Sequence, residues 1–213
     1  MKRTIALPVL TVASAAVLLT GCSSSDHGSH AGHSDGMTMN SAGQAAGSAA
    51  TGTPARGPHN DQDRLFASDM IPHHRQAVEM ADMALTTSKD TKVRALATTI
   101  EKAQAPEIAT MTGWLTGWNA PVPSGSMDHM DHEGMHMQGM MSEQDMTALS
   151  KATGTAFDRM WLTMMIEHHR GAVSMAKTEL SQGQNGDAKA LATTIISSQN
   201  AEIAQMTSLL DQL

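Results

Sequence analysis

From Asn60 onward the apolar positions fall every three or four residues: Leu65, Phe66, Met70, Ala77, Met80 or Ala81, and Ala84, with His73 or His74 occupying a place in the stripe. That period predicts an amphipathic helix packed along one face. Ser88 or Asp90 is placed to cap a second helix, whose stripe runs Val93, Leu96, Ala97, Ile100, Gln104, Glu107, Ile108, Met111 and Leu115. Ser142 with Asp145 marks another helix start, and Gly154 with Thr155 a break. A third long helix is expected from near Ala156 to Gln182, stopped by Gly183. A fourth runs from Asp187 to the end, with Leu191, Thr194 or Ile195, Ser198 or Gln199, Glu202, Ile203, Met206, and Leu209 or Leu210 as its stripe. Pro72 and Pro106 fall inside the first two helices, where each removes a backbone donor and should bend the rod.

The pattern is written twice. Met70-Ile-Pro-His-His-Arg-Gln-Ala-Val-Glu-Met-Ala81 returns as Met165-Ile-Glu-His-His-Arg-Gly-Ala-Val-Ser-Met-Ala176, 95 positions on from Met70 to Met165. The same offset carries Gln104, Glu107, Ile108 and Met111 onto Gln199, Glu202, Ile203 and Met206 without a gap. Each copy, about 61–118 and 156–213, reads as one helical hairpin that cannot bury its stripe alone. Two such hairpins close most simply as an all-α four-helix bundle over residues 59–213.

Before the bundle, Lys2 and Arg3 precede an apolar run from Ile5 to Leu19 and the sequence Leu19-Thr20-Gly21-Cys22. This reads as a signal peptide over residues 1–21 that resembles a bacterial lipoprotein signal, with Cys22 as the lipid-bearing first residue of the mature chain. The expected location is therefore the cell envelope, lipid-anchored on the extracytoplasmic side. Residues 22–58 are rich in Ser, Gly and Ala, too poor in large apolar side chains to fold, and are expected to form a disordered tether. Its histidines His27, His30 and His33, with Met37 and Met39, offer weak metal capture or a plain polar spacer.

Composition narrows the chemistry. A net charge of −7, more negative once Lys2 and Arg3 are removed, argues against nucleic acid as partner. Cys22 is the only cysteine, so the chain offers no intramolecular disulfide and no zinc-thiolate site. Soft-metal ligation must fall to the 19 methionines, which outnumber two Phe, three Trp and no Tyr. Residues 119–141 concentrate them: Met127, His129, Met130, His132, Met135, His136, Met137, Met140 and Met141 lie between the two repeats among acidic side chains. Exposed methionine does little for solubility, and interleaved imidazole and thioether point to metal capture.

Within each repeat Met70, His73 or His74 and Met80 share a helix face, as do Met165, His168 or His169 and Met175; the neighbouring helix brings Glu107 and Met111, or Glu202 and Met206. Adjacent positions differ by about 100° around the axis, so one histidine of each pair is expected to face the core and the other the rim. Thioether with imidazole favours Cu(I), with Cu(II) accepted by imidazole and silver as a mimic of Cu(I). Glu107 and Glu202 are candidates for orienting an imidazole as well as for ligation. Two other readings stay open: a redox enzyme, either a cuprous oxidase or a degenerate di-metal bundle, and an interaction module whose histidines hold the bundle together through the glutamates. Met83, Met160 and Met164 read as packing, and Arg75 with Glu79 as an ordinary surface ion pair.

The Met-x-x-His-His segment followed by Met-Ala, and then Gln-x-x-Glu-Ile-x-x-Met, resembles the bacterial DUF305 family of the ferritin-like superfamily. Both copies match it, over about the last 150 residues, departing at Glu167 where the family usually has proline. The resemblance implies a ferritin-like fold and a periplasmic copper- and silver-binding role, exercised as sequestration or delivery, with a copper transporter or chaperone as partner.

Overall fold

The computed structural model describes residues 57–124 and 138–213. These form five helices, α1 (Asp61–Thr87), α2 (Thr91–Gly117), α3 (Glu143–Lys151), α4 (Gly154–Gln182) and α5 (Gly186–Leu210), with no strand among the described residues. Cys22, the tether histidines and Met127, His129, Met130, His132, Met135, His136 and Met137 lie outside them.

Local chemistry sets the helix starts. Asn60 and Asp63 form a reciprocal capping box on α1, and Ser142 and Asp145 do the same on α3. Asp90 accepts from Lys92 N and Val93 N at the head of α2, and Asn185 accepts from Asp187 N and Ala188 N at the head of α5. Of the two residues expected to cap α2, Asp90 does so. α1 and α2 stay helical on both sides of Pro72 and Pro106.

α1 pairs with α2 and α4 with α5, and the hairpins meet chiefly through α1 and α4. The short α3 lies against α4. The all-α bundle is thus built from two like hairpins, as the repeat implies. One stripe position is corrected: Leu65, near the start of α1, is 54% exposed. On α5, Leu191 packs partly buried against the core beside the fully buried Ala192. Trp114, absent from the expected α2 stripe, is buried.

The core is split. One apolar cluster joins Ala77 to Ala84 of α1, Val93 to Ile100 of α2, Met146 and Leu149 of α3, Phe157 to Ile166 of α4, and Met206 and Leu209 of α5. The other joins Phe66 to Ile71 of α1, Met111 to Leu115 of α2, Ala172 and Ala176 of α4, and Ala188 to Ile195 of α5. Along every long helix the residues between the clusters are the polar ones: His73 and His74, Gln104 and Glu107, His168 and His169, Gln199 and Glu202. A polar belt therefore crosses the waist of the bundle between two apolar halves.

Candidate metal centre

All four belt histidines are fully buried, which corrects the expectation of one core and one rim imidazole per pair. α1 and α4 are each covered on two sides, so positions about 100° apart both find protein. His73 faces α4, where its ring lies 3.7 Å from that of His168, centroid to centroid. His74 faces α2, and its Nε2 donates to Glu107 Oε2 at 2.7 Å. The second hairpin repeats the arrangement, with His169 Nε2 donating to Glu202 Oε2 at 2.7 Å.

Those bonds assign the lone pairs. With Nε2 of His74 and His169 engaged by carboxylates, Nδ1 of each has no hydrogen-bond partner. His73 Nε2 donates to the carbonyl of Gln138 at 3.2 Å, leaving its Nδ1 bare as well. Neither nitrogen of His168 makes a well-formed hydrogen bond, and the side-chain amides of Gln104 and Gln199 contribute further unpartnered atoms. Burial, then the neighbouring His74 imidazole, pushes His73 down to about 3, with the bond to Gln138 opposing. His168 is also pushed well below the usual histidine range, by burial and then by the imidazoles of His73, His169 and His74. Both rings are neutral at ordinary pH and hold lone pairs in a place where leaving them unused is costly.

The methionines flank this belt. Met70 and Met111 belong to the cluster on one side and Met80, Met165 and Met206 to the cluster on the other, all fully buried, while Met175 is half-buried. Met140 and Met141 lie partly buried where the inter-repeat segment rejoins the bundle. Among the described residues no three side chains of the His, Asp and Glu kind converge on one point. That geometry does not fit a carboxylate-bridged di-iron centre, which needs four carboxylates and two histidines around one space. The unpartnered imidazole nitrogens gather around the His73–His168 contact, between two clusters that contain methionine.

Four residues escape the sequence pattern, three around the belt and one beyond it. Gln76, Gly171 and Gln138 set the segment that lies over it, and Glu179 is buried at the far end of α4. The exchange of Gln76 for Gly171 was visible as a mismatch inside an otherwise matched stretch. Arg75, expected to pair with Glu79, donates instead to the carbonyl of Pro123 at 2.9 Å.

An all-α bundle made by duplication, with buried imidazoles across its waist and methionines on either side, defines a distinct class of helical protein. The chain belongs to the DUF305 family, whose model, "Domain of unknown function (DUF305)", matches residues 63–210. It is similar to a DUF305 protein from Streptomyces coelicolor described as secreted, at 39% identity and TM-score 0.64, covering 71% of this chain and 93% of that one. A DUF305 fragment from Deinococcus radiodurans matches at 31% identity and TM-score 0.64, covering 76% and 100%. CopM in its Cu(I)-bound form matches at 33% identity and TM-score 0.58, covering 70% and 96%, and structures of its Cu(II)-bound and Ag-bound forms match as well. No curated protein matches the chain.

Proposed function

We propose that the protein binds Cu(I), with Ag(I) as its mimic, outside the cytoplasm, and that it sequesters the metal or hands it on without turnover. The observation that carries this reading is the contact between His73 and His168. Two neutral, fully buried imidazoles from the two repeats meet at 3.7 Å with lone pairs unspent, between clusters that contribute methionine. Imidazole and thioether together select soft ions, and neither His73 nor His168 must lose a proton to bind one.

In this reading His73, His168 and the flanking Met70, Met111, Met165 and Met206 hold the ion, with Met80 and Met175 further out. His74 and His169 add two further imidazole ligands through their bare Nδ1 atoms, kept in register by Glu107 and Glu202, which orient the rings and do not bind metal themselves. Residues 127–141, where histidine and methionine alternate in the sequence, are a second, weaker capture site. Binding of copper and silver by CopM, and the description of the Streptomyces relative as secreted, support the metal and the compartment. The signal-like start and Cys22 support a lipid anchor, from which a membrane copper transporter or a soluble chaperone would be within reach.

The test is an anaerobic Cu(I) titration against a chromogenic competitor. It compares the wild-type chain, a deletion of 127–141, and a variant with His73, His168, His74 and His169 all changed to Ala. The quadruple variant should lose the tightest ion and the deletion should lose weaker ones. A quadruple variant that binds as tightly as wild type would remove the bundle site from consideration. In a separate aerobic assay, oxidation of many equivalents of added Cu(I) per protein molecule, with oxygen consumed in step, would instead favour a cuprous oxidase.

A further inference from the structure

After the inter-repeat segment the chain rejoins the bundle through Gln138, Gly139, Met140 and Met141, and the way it does so bears on the belt. Gly139 adopts φ 84°, and a Cβ there would lie 2.7 Å from the carbonyl oxygen of Glu167 and 2.9 Å from Gly171 Cα. A Cβ on Gly171 would lie 1.8 Å from the carbonyl oxygen of Gln138. The segment's backbone therefore rests directly on the backbone of α4 beside His168, and glycine is required on both surfaces. The Gln138 carbonyl, held there, accepts the hydrogen bond from His73 Nε2 at 3.2 Å.

The first repeat grips the same segment by other means. Gln76 Nε2 donates to the Met141 carbonyl at 2.8 Å, and Met141 N donates to Gln76 Oε1 at 2.7 Å. Gln76 and Gly171 occupy the same register position in the two copies. Their divergence gives α1 a hand for the segment and α4 a bare surface for it, so one duplicated position serves one function in two chemical forms. Gln138 is exposed and Gly139 partly so, which makes the segment a single layer between the His73–His168 pair and solvent.

We propose that residues 138–141 are a strap that governs metal entry to the His73–His168 pair, with Gln76 and Gly171 as its positioning residues. This rests on the belt being the metal site. Docked, the strap occupies Nε2 of His73 and covers the approach along α4. Lifted, it opens the approach to the bare Nδ1 of His73 and to His168, and the ring released from Gln138 is free to turn that lone pair toward an arriving ion. The strap holds through one neutral hydrogen bond to imidazole, the paired Gln76 bonds and a glycine-on-glycine contact, none of which involves charge. It is therefore poised to exchange rather than locked.

Two variants loosen it from opposite sides. Gly171→Ala inserts a methyl group where the Gln138 carbonyl lies, and Gln76→Ala removes the grip on Met141 without adding bulk. Stopped-flow mixing of the metal-free chain with Ag(I) should show association at least tenfold faster in both, with the number of ions bound unchanged. Diethyl pyrocarbonate modification of His73 and His168, read by mass spectrometry on the metal-free chain, should rise by a similar factor, and far-ultraviolet circular dichroism checks that helicity is retained. Wild-type association and wild-type modification rates in both variants would overturn the strap while leaving the metal site standing. If the quadruple histidine variant binds as wild type does, the metal site has failed and the gate with it, and faster modification would then report the docking contact alone. Should Gly171→Ala lose helicity, Gln76→Ala decides.

Discussion

In the first hairpin His74 donates to Glu107 at 2.7 Å, and in the second His169 donates to Glu202 at the same distance. The two copies agree again at the paired Gln104 and Gln199, buried to the same 2% exposure. Beside and beyond these shared belt residues they part company. Phe66 corresponds to Trp161, Ala84 to Glu179, Gln76 to Gly171 and Pro72 to Glu167. Gln76 and Gly171 attach the connecting segment, Trp161 reaches across from α4 to α1, and Glu179 sits at a joint between the hairpins. Agreement marks what both copies do for the site. Divergence marks where a duplicated hairpin had to acquire private seams with its twin.

The largest expected effect comes from breaking the seam at Trp161. Its ring is fully buried in the larger-membered apolar cluster, and its Nε1 donates to the Met80 carbonyl at 2.7 Å, tying α4 to α1. Phe66, its counterpart, is buried in the other cluster and has no polar atom to donate. Trp161→Ala should cost roughly 3–5 kcal/mol, and Phe66→Ala a value toward the lower end of that range. Urea unfolding gives both numbers. Trp161→Phe makes the seam resemble the first repeat and should recover most of the loss, falling short by roughly 1 kcal/mol for the hydrogen bond. Full recovery would show that the indole nitrogen contributes nothing.

Next comes the joint at Glu179. Asp63 accepts from Gln184 N at 3.0 Å and Asn185 N at 2.8 Å, so the head of α1 caps the turn between α4 and α5. Burial alone would raise the Asp63 carboxyl; backbone donors of Asn60, Asn185 and Gln184, with the Glu179 side chain, hold it below the ordinary value instead. Glu179, fully buried against it, is pushed up to about 8 by burial and then by Asp63, with Lys189 opposing. Protonated, it donates to the Asp63 carboxylate. The folded chain thus holds a proton that the unfolded chain releases near 4.5, and stability should fall as pH rises from there to about 8, then level off. Asp63 acts oppositely, its contribution vanishing as pH falls below the ordinary carboxylate range. The Glu179 effect is on the order of a few kcal/mol between pH 5 and 8, measured as a shift in unfolding midpoint. Glu179→Gln should flatten the profile. Ala84 has no such group, so a slope that survives Glu179→Gln must come from elsewhere.

How much of this was legible depended on whether duplication recorded it. Helices α1, α2, α4 and α5 follow from the spacing of apolar residues, and the belt follows from His73, His74, Gln104 and Glu107 recurring in register. Periodicity on one helix cannot say how many neighbours cover it, which is why the second imidazole of each pair was assigned to the rim. Burial on two faces is a property of the assembled bundle. The Asp63–Glu179 pair and the Gln138–His73 bond join positions far apart in sequence, and no local pattern encodes either. Leu65 is a different failure, since a large apolar residue at the right spacing near a helix start points outward.

The smallest of the three effects on stability bears most directly on the site, because it asks whether Glu107 and Glu202 orient the imidazoles or bind metal. Each accepts a short hydrogen bond from a fully buried ring, with its own side chain only slightly exposed. Replacement by Gln keeps an acceptor at that place and removes the charge, so Glu107→Gln and Glu202→Gln should each cost about 1 kcal/mol. Their matched geometry requires the two losses to agree within about 0.5 kcal/mol, since like environments give like differences. If the glutamates orient the rings, Cu(I) affinity should drop by about 10- to 100-fold in either variant with stoichiometry unchanged, the effect expected of a group that fixes a ligand without touching the ion. If they bind metal, one ion should disappear from the titration outright. Unequal losses would mean that the repeats, alike in their distances, differ in use, with one half of the belt holding the metal and the other serving as scaffold.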